Sequence, residues 1–194
     1  MRKVKISRKT KETDITLELN LDGRGKYNIN TSVPFFDHMM SAFCLHGNFD
    51  LSIKAKGDTD IDQHHLIEDI GIVLGQAIKK CLKNKKNIVR FGNFLLPMDE
   101  ALSYVVIDIS NRPYLKYKVR FKKQFENINF DFGLIKEFFK GLVNNAGITL
   151  QVSLLEGENN HHIAESIFKG FAKALYQATR INKKISRVST KGKL

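Results

Sequence analysis

The sequence contains the pattern His-His-x-x-Glu twice. The first copy spans residues 64–68 within DIDQHHLIED, and the second spans residues 161–165 within NNHHIAES, 97 positions later. Four of the six histidines of the chain fall in these two copies. Imidazole nitrogens and carboxylate oxygens are both ligands of divalent cations. The repeated pattern therefore predicts metal binding, against the alternative that each copy is only the solvated start of a helix.

The spacing inside each copy determines which side chains could share a metal. On a helix, residues four apart lie on one face, so His64 should point with Glu68 and His161 with Glu165. The second histidine of each copy points about 100° away and would serve a different site. If the two halves of the chain, or two copies of it, meet face to face, each pair could be completed by the second histidine of the other motif. The predicted sets are His64, Glu68 and His162 for one metal, and His161, Glu165 and His65 for the other.

Two further candidates precede the motifs by one helix each. His38, in FFDHMM, lies 26 residues before His64, and Glu137, in IKEFFKG, lies 24 residues before His161. Each could add a ligand to one metal. His38 stands among apolar residues, where an imidazole needs a polar partner. Glu137 taken alone also fits an ordinary surface glutamate.

The elements that must position these residues follow one order in both halves. DITLELNL and KYNINTSV alternate around the turn DGRG and predict a hairpin. PFFDHMMSAFCLHG predicts a short helix, FDLSIKAKG a strand, and DQHHLIEDIGIVLGQAIKKCLKN a longer helix with apolar residues every three or four positions. In the second half, RFGNFLLPMDEALSYVVIDIS and RPYLKYKVRF predict hairpin strands. FGLIKEFFKGLVNNAG, ITLQVSLLEG and NNHHIAESIFKGFAKALYQATR then predict helix, strand and helix.

This order predicts a duplicated β-β-α-β-α unit. The fold class is α+β, with mostly antiparallel sheets and helices packed on one face of them. The first half-repeat should cover residues 1–88 and the second residues 89–180, followed by a basic tail over residues 181–194. Cys44 and Cys81 lie in apolar surroundings outside any CxxC pair and are predicted to be buried thiols.

Composition and charge limit the classes of function. The 194 residues are 42% hydrophobic and carry a net charge of +12. No apolar run approaches the roughly 20 residues of a membrane span, and no apolar core follows the basic N-terminus as in a secretory signal, so a cytoplasmic location is expected. The charge allows a solvated basic surface, an anionic small substrate such as a phosphate, or nucleic acid. Nucleic acid is disfavoured because the lysines are widely spread and no RNP-like aromatic motif or finger spacing occurs.

The motifs resemble those of the imidazoleglycerol-phosphate dehydratase family of histidine biosynthesis. DQHHLIEDIGIVLG, PMDEAL, NRPYL, GENNHHIAESIFK and STKG all match signatures of that family, and the resemblance covers nearly the whole chain. It implies two similar α+β halves and the dehydration of D-erythro-imidazole-glycerol phosphate to imidazole-acetol phosphate. It also implies two Mn²⁺ ions per active site, at interfaces of a homo-oligomer of 24 subunits, with neither nucleic acid nor membrane as partner.

The resemblance also assigns roles to individual residues. It places one metal on His38, His65, His161 and Glu165, and the other on His64, Glu68, His162 and Glu137, the last standing where many members have histidine. Catalytic roles fall on Glu12, His64, His65, Glu68 and Glu165. Substrate contacts fall on Glu12, His38 and Asp99, and phosphate contacts on Arg90, Arg112, Lys169, Ser189 and Lys191. Gln151 departs from the family, which usually has histidine after TL.

These roles fit a dehydration whose substrate has no carbonyl to acidify the departing hydrogen. A metal-bound imidazolate could instead expel the neighbouring hydroxide, after which loss of the adjacent C–H gives an enol and then the ketone. The alternative from another class is a non-catalytic scaffold in which metal only holds subunits together. A basic nucleic-acid-binding protein is a second alternative, and a steep loss of polynucleotide affinity with salt would support it.

Overall fold

The computed structural model describes residues 2–83, 85–123 and 129–185. Each half contributes three strands, a helix, a strand and a second helix. The first half comprises β1 (Lys3–Lys9), β2 (Thr13–Asn20), β3 (Tyr27–Asn30), α1 (Pro34–Gly47), β4 (Asp50–Gly57) and α2 (His64–Leu82). The second comprises β5 (Phe91–Met98), β6 (Ala101–Asp108), β7 (Tyr114–Lys118), α3 (Leu134–Ala146), β8 (Thr149–Glu156) and α4 (Asn160–Thr179).

The two sheets have the same topology. The first has the order β1-β2-β4-β3 and the second the order β5-β6-β8-β7. In each sheet two neighbouring pairs are antiparallel, while β3–β4 and β7–β8 are parallel. The predicted α+β class and the duplication are confirmed. Each unit has one strand more than predicted, because β1 lies in the basic N-terminal segment and the long apolar segment of the second half folds back as β5 and β6.

The predicted hairpin between DITLELNL and KYNINTSV is wrong, because β4 lies between β2 and β3. The connecting turn is fixed to the start of β4 instead of closing a hairpin. Asp50 Oδ1 accepts hydrogen bonds from the backbone N–H of Arg24 at 2.8 Å and of Lys26 at 3.0 Å. Gly25 turns the chain here with a φ of 85°, which glycine adopts without steric cost. After β2 the chain therefore crosses to the other side of β4, where β3 pairs with the edge of β4 opposite to β2.

The helices cross-connect the two halves. Alternate residues of β2 are buried, so one face of its sheet is covered and the other is open. Helix α2 packs on β1 and β2, and α4 packs on β5 and β6. Helix α1 packs against α4 of the other half, and α3 packs against α2. Each helix pair therefore brings together a first helix and a second helix from different halves.

Two glycines allow α2 and α3 to touch through their backbones. A Cβ built on Gly71 would lie 2.3 Å from Phe138 O, and one built on Gly75 would lie 2.4 Å from Leu142 O. No side chain fits in these spaces without moving one of the helices. The order of the two contacts shows that the helices run in the same direction. This packing sets the helix that carries Glu137 directly against the first turns of α2.

Both cysteines are buried free thiols, as predicted. Cys44 lies on α1 and Cys81 on α2. Burial raises the pKa of the Cys44 thiol to about 12 and that of the Cys81 thiol to about 11. Because the thiolate is the reactive form, neither cysteine is a candidate nucleophile. Within the described part of the chain, no helix combines the length and the apolar character required to traverse a bilayer.

Candidate metal centre

Three potential ligands converge where α1 meets α4. Glu165 Oε2 lies 3.4 Å from His161 Nε2 and 3.9 Å from His38 Nε2. One ligand atom from each residue lies within 4.8 Å of the other two, and no other such trio of His, Cys, Asp or Glu occurs in the described residues. Two imidazoles and one carboxylate form a donor set suited to a divalent transition metal. Sequence reasoning named all three residues.

The start of α4 is fixed by its capping residue. The side chain of Asn159 accepts hydrogen bonds from the backbone N–H of His161 at 2.8 Å and of His162 at 3.2 Å. This N-cap satisfies two donors that the first helical turn leaves free. The helix therefore begins at the motif, and the four-residue spacing of His161 and Glu165 becomes a shared face. In α2, Asp62 Oδ1 accepts from the backbone N–H of His64 at 3.0 Å.

The Glu165 carboxylate is held by a cation on its other oxygen. Lys169 Nζ lies 2.7 Å from Glu165 Oε1, one helical turn further along α4. Burial alone would raise the pKa of Glu165, but the hydrogen bond from Lys169 and the positive charges of Lys169, His38 and His161 outweigh it and lower that pKa. The carboxylate is therefore ionised, with Oε2 facing the two imidazoles. Lys169, predicted to contact phosphate, is engaged with this carboxylate in the single chain.

The first copy of the motif forms a smaller cluster. His64 Nε2 lies 3.5 Å from Glu68 Oε2, and both side chains are more than a third exposed. Glu137 lies on the neighbouring α3 but pairs with Lys140 at 3.1 Å. Across the described residues, Glu137 does not join His64 and Glu68 in a trio of ligand atoms like that of the α1–α4 site. Among the described residues, the two motifs thus contribute to one cluster of three candidate ligands and to one pair.

The second histidine of each motif points to a different group of acids. His65 Nδ1 lies 3.1 Å from Asp58 Oδ2 and 3.9 Å from Glu12 Oε2. Its hydrogen bond to Asp58 raises the pKa of His65, with smaller contributions from nearby negative charges. Because His65 does not join the trio within one chain, the two halves of a single chain do not complete the crossed ligand sets.

His162 mirrors His65 in the second half. Its Nδ1 lies 2.7 Å from Glu100 Oε2, and its Nε2 lies 3.7 Å from Asp99 Oδ2. The hydrogen bond to Glu100 raises the pKa of His162. The backbone N–H of Asn159 donates to Glu100 Oε1 at 2.8 Å and that of Glu158 at 3.2 Å. The hydrogen bond from the Asn159 backbone, followed by that from His162, lowers the pKa of Glu100 to about 2.

Sequence reasoning missed Asp58 and Glu100. Glu12 and Asp99 were named, and the structure places each of them within 4 Å of one of the second histidines. Glu100 adjoins Asp99 inside PMDEAL, so the motif contained a signal for it. Asp58 lies six residues before His64 in a turn, where nothing in its local pattern separates it from the neighbouring acids.

Two predicted phosphate contacts meet at one carboxylate. Arg90 Nε donates to Asp108 Oδ1 at 2.7 Å, and a terminal nitrogen of Arg90 donates to Asp108 Oδ2 at 3.1 Å. Arg112 approaches the same Oδ2 at 3.6 Å with a side chain that is 67% exposed. Two guanidinium groups against one carboxylate leave this corner positively charged. Ser189 and Lys191, the other predicted phosphate contacts, lie outside the described residues.

Gln151 lies away from the helices. It is exposed on β8, whose neighbouring residues Leu150 and Val152 are buried on the opposite face. Alternation along the strand therefore turns Gln151 to the outer surface of its sheet. Within the single chain, this departure from the family pattern does not alter the trio at α1 and α4.

Comparisons with known proteins agree with the architecture and the motifs. The sequence model of the family described as imidazoleglycerol-phosphate dehydratase matches residues 31–175. The imidazoleglycerol-phosphate dehydratase of Acetivibrio thermocellus is 55% identical over 194 residues, covering 100% of this chain and 99% of that protein. That of Desulfotalea psychrophila is 57% identical over 174 residues, covering 90% and 87%.

Solved structures resemble the fold as well. Imidazoleglycerol-phosphate dehydratase from Staphylococcus aureus superposes with a TM-score of 0.83 at 39% identity, over 93% of this chain and 99% of that one. The enzyme from Pyrococcus furiosus, in complex with (S)-C348, gives a TM-score of 0.84 at 43% identity, over 97% and 100%. With the family match spanning most of its length and relatives more than half identical to it, this chain belongs to the imidazoleglycerol-phosphate dehydratase family.

Proposed function

We propose that this protein dehydrates D-erythro-imidazole-glycerol phosphate to imidazole-acetol phosphate, a step of histidine biosynthesis, in the cytoplasm. The observation that carries the proposal is the convergence of His38, His161 and Glu165 within 4.8 Å. The donor atoms suit a divalent cation, and the family is metal-dependent. The net charge of +12 also favours a phosphorylated substrate over a cationic one.

Two sets of residues in the chain would each bind one metal. His38, His161 and Glu165 would hold one Mn²⁺, while His64 and Glu68, with Glu137 as a further carboxylate ligand, would hold the other. Carboxylate oxygen suits manganese, so glutamate at position 137 remains compatible with binding. Mn²⁺ at a ring nitrogen of the substrate would lower the proton affinity of that nitrogen and favour the imidazolate that expels hydroxide.

A second copy of the chain would complete both sites. His65 and His162 stand apart from the ligand pairs of their own chain and are held by acids on exposed turns. Placed against a neighbouring subunit, His65 would join the trio and His162 would join His64 and Glu68. The active sites would then lie at subunit interfaces of a homo-oligomer, and we propose the 24-subunit assembly of the family.

Acidic residues beside the second histidines would act as general acids or bases in the reaction. Glu12 lies 3.9 Å from His65 and Asp99 lies 3.7 Å from His162, each in the turn of a β-hairpin. A positioned carboxylate can accept the C–H proton or assist departure of the hydroxyl. We assign Glu12 to substrate contact and proton transfer, with Asp99 as the second candidate.

Arginines would bind the phosphate. Arg90 and Arg112 offer planar forks that match two phosphate oxygens at once, and Asp108 orients both. Lys169, Ser189 and Lys191 would complete the phosphate site, the last two from the basic tail of a neighbouring subunit. Lys169 would then keep Glu165 ionised while its charge also attracts the phosphate.

The direct test is an assay for imidazole-acetol phosphate with and without Mn²⁺ and chelator, with apparent mass measured alongside. Metal-dependent turnover by a large assembly supports the proposal. Metal-dependent assembly without turnover supports the scaffold alternative. A crystal soaked with a triazole mimic of the substrate tests the chemistry, since ring nitrogens that touch no metal would exclude the imidazolate route.

A further inference from the structure

We propose that Glu100 and Asp58 are positioning residues that fix the ring orientation and the tautomer of His162 and His65, so that each presents Nε2 to a metal. The inference rests on the proposed metal-dependent function and extends it to two residues outside the proposed sets of metal ligands and substrate contacts. It predicts which ring nitrogen carries the proton, and it predicts that each carboxylate controls a different metal.

The contacts of Glu100 determine the tautomer of His162. An ionised carboxylate only accepts hydrogen bonds, so the nitrogen 2.7 Å from Glu100 Oε2, which is Nδ1, must carry a proton. In the neutral ring the lone pair then lies on Nε2. Glu100 cannot easily turn away, because its other oxygen accepts from two backbone N–H groups at the start of α4. The ring is therefore held with its metal-binding nitrogen defined before any metal arrives.

Asp58 reproduces this arrangement in the first half by a different route. Its two oxygens lie 3.2 and 3.1 Å from His65 Nδ1. Asp58 directly follows β4, whereas Glu100 lies in the turn between β5 and β6, so the two acids do not occupy equivalent positions of the duplicated unit. A carboxylate nevertheless meets Nδ1 of the second histidine in both halves. Carboxylate partners of this kind orient histidine ligands and increase their basicity.

Replacement of each carboxylate by the corresponding amide should affect the two histidines differently. In Glu100→Gln, the amide oxygen is required by the backbone N–H groups of Glu158 and Asn159, so the NH₂ group faces His162. That group donates to Nδ1 and moves the ring proton to Nε2, so metal binding at Nε2 must first reverse the tautomer and is weakened. Asp58 has no comparable backbone donors to its side chain among the described hydrogen bonds. Asp58→Asn can therefore turn its oxygen to His65 and preserve the tautomer.

The first measurement is solid-state ¹⁵N NMR of metal-free protein with labelled histidine. The wild type should show His162 and His65 protonated on Nδ1. Glu100→Gln should move the proton of His162 to Nε2, and Asp58→Asn should leave His65 unchanged. A wild-type His162 with its proton on Nε2 overturns the proposal without reference to activity.

The second measurement is Mn²⁺ titration by calorimetry, followed by anomalous diffraction to identify the weakened site. Glu100→Gln should weaken by roughly 10–100-fold only the site containing His64 and Glu68, and Asp58→Ala should weaken only the site containing His38 and His161. Asp58→Asn should change affinity by less than about tenfold. Glu18→Gln, on the exposed face of β2, is the matched control.

A purely structural role for Glu100 gives a different result. If Glu100→Gln only frayed the start of α4, His161 would shift together with His162 and both sites would weaken, which would overturn the proposal. Wild-type affinity at both sites in Glu100→Gln would overturn it too. Failure of the proposed function is distinguishable, because wild-type protein would then bind no Mn²⁺ while the NMR result for the tautomers would stand.

Discussion

His38 and Glu137 occupy the same position in the two halves of the fold. Asn48 and Gly147, both in a left-handed conformation, directly follow the two helices. His38 lies ten residues before Asn48, and Glu137 lies ten residues before Gly147. His38 meets the motif of α4, while Glu137 lies on the helix that packs against the motif of α2. The duplicated fold therefore supports the proposed role of Glu137 as a ligand of the second metal, although Glu137 pairs with Lys140 in the single chain.

Replacement of Glu137 tests this assignment. Glu137→Ala should weaken one of two Mn²⁺ sites by at least about tenfold, because that metal loses a carboxylate ligand. Glu137→His should restore the affinity, since it reproduces the ligand found at the equivalent position 38. Mn²⁺ titration of the three proteins provides the measurement. Equal affinity in Glu137→Ala and wild type would remove Glu137 from the metal site.

Loss of His38 should abolish one metal site. His38→Ala removes one of two imidazoles beside Glu165 and should reduce Mn²⁺ affinity at that site by more than about 100-fold, since even changes outside the ligand shell reach that size. Dehydratase activity should fall in parallel. His46→Ala, in the last turn of the same helix, is the control and should retain both properties. Metal content and turnover unchanged in His38→Ala would contradict the site.

The contact between α2 and α3 should be sensitive to one methyl group. Gly71→Ala places a Cβ against Phe138 O and should destabilise the metal-free protein by about 1–3 kcal/mol through overpacking. This contact also sets the distance between Glu137 on α3 and Glu68 on α2, so Mn²⁺ affinity should fall as well. Gly133→Ala, whose Cβ would meet only the end of the Asp131 side chain at 3.1 Å, is the control. Urea unfolding in chelator measures the first effect, and equal midpoints for both variants would contradict it.

Acid should remove the stabilisation supplied by one ion pair. The Asp22 carboxylate accepts hydrogen bonds from Arg2, and the side-chain bond outweighs burial and lowers the pKa of Asp22 below 3.8. A lowered pKa in the folded state stabilises the protein above the unfolded value, and that stabilisation is lost as pH falls through the folded value. The difference in unfolding free energy between wild type and Asp22→Asn should therefore be fully present at pH 6, and it should decline as pH falls below 3.8 and through the lowered folded-state pKa of Asp22.

The size of this effect should be modest, because the Asp22 side chain is 38% exposed and solvent screens the pair. Asp14→Asn is the control, since the more exposed Asp14–Lys9 pair lies at 3.4 Å on the same sheet. Urea unfolding at several pH values measures both variants. A difference for Asp22→Asn that is independent of pH would show that the ion pair does not supply the stabilisation.

Phosphate recognition should depend on Arg112. Arg112→Ala removes a charge-assisted contact of about 1.5–3 kcal/mol and should raise KM for the phosphate ester by roughly tenfold or more. Lys191→Ala should act in the same direction if the tail closes over a neighbouring site. Arg120→Ala is the matched control on the same half of the chain. Steady-state kinetics measure the effect, and an unchanged KM would exclude the altered residue from the phosphate site.

Local signals predicted the helices and the paired ligands. Helix α1 spans the predicted residues Pro34–Gly47, since Pro34 begins it and Asn48, in a left-handed conformation, ends it. The pairing of His64 with Glu68 follows from the four-residue spacing alone. Helix boundaries and pairs four residues apart depend on residues that are close in sequence, so a local pattern is enough to predict them.

Long-range pairings could not be predicted in the same way. Ile6 is the one buried residue of β1, and most of the other residues of the strand are charged. The segment therefore lacked the apolar alternation by which a strand is predicted. The position of β4 between β2 and β3 depends on contacts between segments more than twenty residues apart. The partners of His65, His162 and Arg90 come from other elements for the same reason. Sequence reasoning therefore named the candidate ligands but not the carboxylates Asp58, Glu100 and Asp108.

The crossing of α1 with α4 bears on how such a chain could have arisen. His38 comes from one half and His161 with Glu165 from the other, so neither half alone contains this trio. An ancestor half as long would have needed to dimerise before it could bring three such side chains together. Joining both copies in one polypeptide makes that encounter intramolecular and raises the effective concentration of one half around the other. Fusion also frees each copy to diverge, as the exchange of imidazole for carboxylate between positions 38 and 137 illustrates.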